Sequence, residues 1–193
     1  MSVVMTRKLP GSSRKAPVQN NTVGSDKLYI VSSSHLASPG YEDVSAFEFA
    51  LTVINNAFQR WMTRASAVAG LPELSALDIL VLHSINHRDR EKSIADLMFT
   101  LNLSERHYLN YAMKKLDDLG LITRHRRGKE AYLKVTPKGS DYCAEYARVR
   151  SACLLDLLPA DLEPGGVALG EVARAMRVLT GFYEQAARSA SSL

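Results

Sequence analysis

The sequence predicts a mainly α-helical chain carrying one small β-hairpin, and three observations predict it. First, Leu109, Ala112, Met113 and Leu116 recur at i, i+3, i+4 and i+7, the spacing of one buried helical stripe, which leaves Arg106, His107, Asn110, Tyr111 and Lys114 facing outward. Second, Gly120 suits the left-handed residue that ends a helix, and a β-favouring run follows from Leu121 to His125. The turn Arg126-Arg127-Gly128-Lys129 then leads into a return strand, Ala131 to Thr136, broken by Pro137 and Gly139. Third, long apolar stripes of helical period lie on both sides of this block. The order is a helix-turn-helix with a wing, flanked by N- and C-terminal helices that need a further surface to cover them.

Each element follows from local chemistry. Residues 1–25 are rich in Ser, Pro, Asn and basic side chains, with too few large apolar ones to order themselves, and are expected to be a disordered basic tail. Within residues 26–42, Lys27-Leu28-Tyr29-Ile30-Val31 is β-prone and Ser38-Pro39-Gly40 signals a turn, so an extended arm is expected there. Residues 43–72 read as one helix with Phe47, Ala50, Leu51, Ile54, Phe58, Trp61, Met62, Ala65 and Val68 on a broad apolar face, stopped by Gly70 and Pro72. The winged block occupies residues 73–137. Two more amphipathic helices fill residues 138–190, one carrying Tyr142, Cys143, Tyr146, Val149, Cys153, Leu154 and Leu157, the other Val172, Met176, Leu179 and Tyr183. Pro159, Pro164, Gly165 and Gly166 separate them.

The segments KKLDDLGLI, RHRRGKE and VTPKG resemble the recognition-helix junction, basic wing and exit of the MarR family of winged-helix transcription regulators. Ser75 to Leu82 and Ile94 to Leu97 resemble the first two helices of that family's DNA-binding domain, and the likeness extends over about Phe47 to Tyr183. Two features depart from the family pattern: the turn Leu101-Asn102-Leu103-Ser104 is about a residue longer than usual, and the wing lacks an Asp-x-Arg sequence. The resemblance implies a homodimer whose flanking helices interlock, and a repressor of transcription by family habit. It also leaves room for a small-molecule effector, of unassigned chemistry, where the dimerisation helices meet the winged helix.

Double-stranded DNA is the partner this order implies. A two-fold dimer presents two recognition helices to successive major grooves, so a near-palindrome with half-sites ~10 bp apart is expected. Arg106, His107, Asn110 and Tyr111 are the candidates for base reading, with Asn110 suited to adenine and Arg106 to guanine. Lys114 and Lys115 suit phosphates, and Arg124, Arg126, Arg127 and Lys129 place cations on the wing, where a narrow minor groove concentrates negative potential.

Charge and composition agree. The chain has 193 residues, 24 Lys and Arg against 20 Asp and Glu, so placement matters more than total. Basic residues concentrate in the tail (Arg7, Lys8, Arg14, Lys15), which reads first as a solubilising segment, and in the wing. No apolar run is long enough for a membrane span and no signal peptide is evident, so a cytoplasmic protein is expected. No GxSxG, HExxH, Walker or GxGxxG sequence occurs, so neither an enzyme nor a cofactor is expected. His83 and His87 share a helix face at a spacing that can chelate a metal, but two further ligands are missing, and helix-end cations are the plainer reading. Cys143 and Cys153 read as packing residues before they read as a thiol sensor. The run Asn86 to Lys92 reads as a solvated loop with local ion pairs, with phosphate contact by Arg88, Arg90 or Lys92 as the alternative. The competing functional class is a winged helix that binds a protein partner without specific DNA binding, and three cations at the wing tip argue against it.

Overall fold

The computed structural model describes residues 39–159 and 167–193, so the tail and the predicted strand at Lys27–Val31 lie outside the described residues, as does the Pro164-Gly165-Gly166 break. The chain divides into two compact units after Ala50. The described part of the first is the turn at 39–40 and the opening of helix α1, Glu42–Val68, which starts on the acidic pair Glu42 and Asp43. Acidic groups there suit the positive end of the helix dipole.

The second unit holds the remainder of α1 and everything after it: α2 (Ala76–Asn86), β1 (Lys92–Ser93), α3 (Ile94–Thr100), α4 (Arg106–Asp118), β2 (Ile122–Arg127), β3 (Glu130–Val135), α5 (Pro137–Cys153) and α6 (Val167–Ala190). The strands form one antiparallel sheet in the order β1-β3-β2. Strand β1, two residues long, is too short for a periodic signal and was not expected from the sequence.

Two starts and three stops in this unit are fixed by local chemistry. Ser75 and Ser93 each cap a helix through a reciprocal box with Asp78 and Asp96, which satisfies backbone N–H groups a helix start leaves orphaned. Helices α1, α3 and α4 end in the same Schellman arrangement. Leu71 N–H donates to Ser66 O at 3.0 Å, Leu103 to Met98 at 2.9 Å and Leu121 to Leu116 at 2.9 Å, with Gly70, Asn102 and Gly120 at the left-handed positions. Asn102, at φ 51°, thus sets the turn before α4, because Asn is one of the few non-glycine residues that tolerate that conformation.

The core sits within the winged block and on α5. Leu109, Ala112, Met113 and Leu116 are all buried, as the sequence period requires, and meet Ile79, Leu82 and Ile85 of α2, Leu97 of α3, Leu133 of β3, and Tyr142, Cys143, Tyr146 and Val149 of α5. Met62 and Ala65 join this core from α1. A buried hydroxyl relay ties α1 to α5: Ser66 Oγ donates to Leu71 O at 2.7 Å, so its one proton is committed and Tyr142 OH must donate to Ser66 Oγ at 2.6 Å. Burial pushes the Tyr142 phenol up to about 12. Cys143 is likewise pushed up to about 11 by burial, which keeps its thiol protonated and unreactive. Cys153 is exposed at the end of α5, not on the packed stripe where the sequence places it.

The flanking stripes are largely uncovered. Ile54 and Phe58 of α1 are 61% and 50% exposed, and Val172 and Tyr183 of α6 are 53% and 40% exposed. No helix among the described residues is long and apolar enough to cross a membrane.

Candidate nucleic-acid interface

Helix α4 has a split personality along its length. Its buried stripe locks it to α2, and the opposite face carries exposed Arg106, His107, Asn110, Tyr111 and Lys114. His107 and Tyr111 are close to the centre of the outward arc, with Tyr111 72% exposed. His107 lies against Tyr108 at 4.0 Å between ring centroids, the rings tilted by 40°, and meets the edge of Tyr111 at 6.4 Å, so three aromatic groups cluster at the start of the helix. Tyr108, half exposed, was not picked out by sequence reasoning because it stands at the rim of the outward face. Lys114 reaches back to Asp118 at 2.8 Å across one exposed turn, a pair of small energetic worth that DNA phosphates can displace.

Lys115 is placed differently from the expectation. Its ammonium donates to Glu73 O and to Asp78 Oδ2 at 3.1 Å, and it is held against the capped start of α2. Asp78 is itself buried, so Lys115 supplies the countercharge its carboxylate requires. One residue of helical rotation separates this inward role from the outward one of Lys114.

The wing is also more ordered than a basic tip. Residue pairing continues to Arg127 and Glu130, so the loop is only Gly128 and Lys129, with Gly128 at φ 62° as a type II′ connection requires. Arg126 and Arg127 therefore lie in β2 rather than in the turn. Arg124 pairs with Asp117 of α4 at 3.1 Å, and Arg127 with Glu91 at 2.5 Å, its guanidinium 5.2 Å from the Tyr132 ring centroid. Among the described residues Arg126 and Lys129 make no ion pair, and both are exposed. Glu91 also meets His125 Nε2 at 3.2 Å, so the stretch expected to be a solvated loop is in part a brace for the wing. Lys92, next to it, is buried, and its ammonium donates to His87 O at 2.8 Å.

The exit of the wing explains why Thr-Pro-Lys-Gly stands there. Thr136 caps α5 through Gly139 N–H at 3.1 Å, and the same hydroxyl donates to Gly120 O at 2.7 Å. Thr136 N–H donates to Leu121 O at 3.0 Å and Lys138 Nζ to Leu119 O at 2.9 Å. Three carbonyls that follow α4 are thereby satisfied by the first turn of α5, which fixes the C-terminal end of the exposed helix.

His83 does not behave as the expected helix-end cation. It is half-buried, 4.8 Å edge-on from Tyr146, and burial together with the charge of Arg150 holds its pKa below the ordinary 6.5. No group of three metal-capable side chains occurs among the described residues. Because the folded state favours the neutral ring, the contribution of His83 to stability is complete above its unfolded pKa and is lost as pH falls through the lower folded value. Thermal melts should therefore show a drop between pH 7 and 5 that is smaller in His83→Gln; equal drops would assign the acid sensitivity elsewhere.

Comparison with known proteins places these features together. Residues 74–139 match the family model described as a winged helix DNA-binding domain. Among curated proteins none matches the chain. Among solved structures, reduced AbfR bound to DNA, a protein of Staphylococcus epidermidis, is similar with a TM-score of 0.60 and 16% identity, over 74% of this chain and 92% of that one. The transcriptional regulator BldR from Sulfolobus Solfataricus is similar with a TM-score of 0.57 and 19% identity, over 75% and 99% of the two chains. A MarR family transcriptional regulator from Rhodococcus sp. RHA1 follows with a TM-score of 0.51 and 15% identity, over 71% and 91%. By fold the chain is thus similar to these winged-helix regulators, and residues 74–139 match a winged helix DNA-binding domain.

Proposed function

We propose that this chain is a homodimeric transcription regulator that binds a near-palindromic site in double-stranded DNA, as a repressor. The observation that carries the reading is the outward face of α4, with its N-terminal aromatic and polar residues exposed, set beside a hairpin that keeps Arg126 and Lys129 uncommitted. AbfR, similar in fold, was solved on DNA, which supports the same partner here. In this reading His107, Asn110 and Tyr111 meet base edges, with Arg106 at the rim, and Lys114 meets a phosphate. Lys115 leaves the contact set because it serves Asp78. Arg126 and Lys129 meet the flanking minor groove, and Arg124 and Arg127 hold the wing against α4 and Glu91.

Dimerisation is supported by the seam on α6. Leu169, Val172, Met176, Leu179 and Tyr183 recur at alternating spacings of three and four, the pattern of a two-stranded seam, and four of the five are exposed. A small-molecule effector acting where these helices meet the winged helix remains part of the proposal, its chemistry unassigned.

The wing gives a direct test. Replacing Arg126 and Lys129 with Ala should leave the melting temperature unchanged, weaken binding to every DNA sequence by a similar factor, and reduce the salt slope by about two. Unaltered affinity and slope in this double variant would remove the wing tip from the interface.

A further inference from the structure

A second feature, independent of DNA binding, lies between α2, the loop after it and α3. A cleft of about 600 Å³ opens there, within the size range of small-molecule sites. Arg88, Arg90 and Lys92 line it, against a single carboxylate, Asp96, which is already engaged in capping α3. Among the described residues none of these three cations forms an ion pair with an acidic side chain. The lining thus carries two positive charges in excess.

Three further observations point the same way. Arg88 has a φ of 63°, a left-handed conformation that costs an arginine backbone free energy and that clusters at functional positions. Lys92 is buried beside Arg90, its ammonium donating to His87 O, and burial, then the charge of Arg90, hold its pKa below the ordinary lysine value against the opposing charge of Asp96. His83, also in the lining, has a buried Nε2 with no hydrogen-bond partner among the described residues. The other wall is apolar: Leu80, Leu97 and Phe99 stand there, and Phe99 is 89% exposed.

We propose that this cleft binds a small organic phosphate, the phosphoryl group held by Arg88 and Arg90 and an aromatic or apolar body laid against Phe99 and Leu80. A dianion balances the excess charge, whereas a monocarboxylate leaves one cation unanswered, and guanidinium groups suit phosphate oxygens through paired donors. No residue of α4 or of the hairpin lines the cleft, so the site is separate from the proposed DNA face. Arg106 and Lys129 border a different cleft, with Ser93, Ile94 and Met98.

The test is calorimetric titration of the full chain, without DNA, with phenyl phosphate, inorganic phosphate and benzoate at constant ionic strength. The expected result is one saturable event per chain with phenyl phosphate, at least about tenfold tighter than with benzoate. Arg88→Asn combined with Arg90→Ala should abolish it; Asn is chosen because it tolerates the left-handed backbone. Arg90→Ala alone, at an exposed extended position, should weaken it about tenfold and serves as the variant least able to disturb folding. Phe99→Ser should bring phenyl phosphate down to the affinity of inorganic phosphate. The proposal is overturned if phenyl phosphate shows no saturation up to about 10 mM. It is also overturned if benzoate binds equally well, or if the arginine variants bind as the parent does. Arginine variants that lose DNA affinity while keeping phenyl phosphate binding would assign the loop to the duplex backbone instead.

Discussion

Gly139→Ala is expected to lower the melting temperature by about 6–12 °C, the effect of about 3 kcal/mol of overpacking in a domain of this size. An added Cβ would stand 2.1 Å from Leu121 O, 3.0 Å from Leu121 C and 2.9 Å from Val135 Cγ2, distances that require backbone to move. Neither side can yield without loss. Leu121 closes the Schellman end of α4 and its carbonyl already accepts from Thr136 N–H, so a retreat of α5 also loosens the bonds that Thr136 and Lys138 make to Gly120 O and Leu119 O. The same variant should therefore weaken DNA binding, since the end of α4 is no longer held. Gly170→Ala is the control: nothing lies within 4 Å of its added Cβ, and a helical glycine replaced by alanine should stabilise by about 0.5–1 kcal/mol if it changes anything. A melt of Gly139→Ala indistinguishable from the parent would mean the α4–α5 junction is not close-packed in solution.

Val172→Asp with Met176→Asp is expected to split the dimer while leaving the winged helix folded. Both side chains stand on the exposed seam of α6, and neither belongs to the buried core, so the monomer loses no packing of its own. In a two-fold interface each substitution appears twice, so four carboxylates would share one desolvated seam, and like charges so placed cost several kcal/mol. Loss of the second recognition helix from a linked pair should then reduce affinity for a two-half-site DNA by about a hundredfold or more. Sedimentation gives the mass and thermal unfolding reports the fold. A double variant that remains dimeric would place the interface elsewhere than on this seam.

The parts of this fold that were legible in the sequence are those governed by local rules. The buried set on α4 followed from a 3.6-residue period, and its end followed from Gly120. The two serine caps, each with an aspartate three residues on, carried a signal as well, although the sequence reading did not use it. What escaped it depends on distant partners. Lys114 and Lys115 are adjacent and chemically identical, and Asp78, 37 residues away, with Glu73 O draws one of them inward. The pairing of Arg127 with Glu91 and of Arg124 with Asp117 is likewise set by the fold. A basic hairpin reads from sequence as four equivalent charges, because nothing local distinguishes a paired guanidinium from a free one. His83 differs for a similar reason: its helix-end position suggests a cation, whereas burial, then the charge of Arg150, favour the neutral ring.

Whether this chain reads DNA as a dimer is decided by selecting bound fragments from random duplex DNA with the purified protein and following affinity for the enriched sequence across salt concentration. The expected result is enrichment of a near-palindrome with half-sites ~10 bp apart, bound by two chains, with a steep salt slope and a preference over random DNA that persists as salt rises. Absence of enrichment, with only weak binding erased by salt, would contradict it.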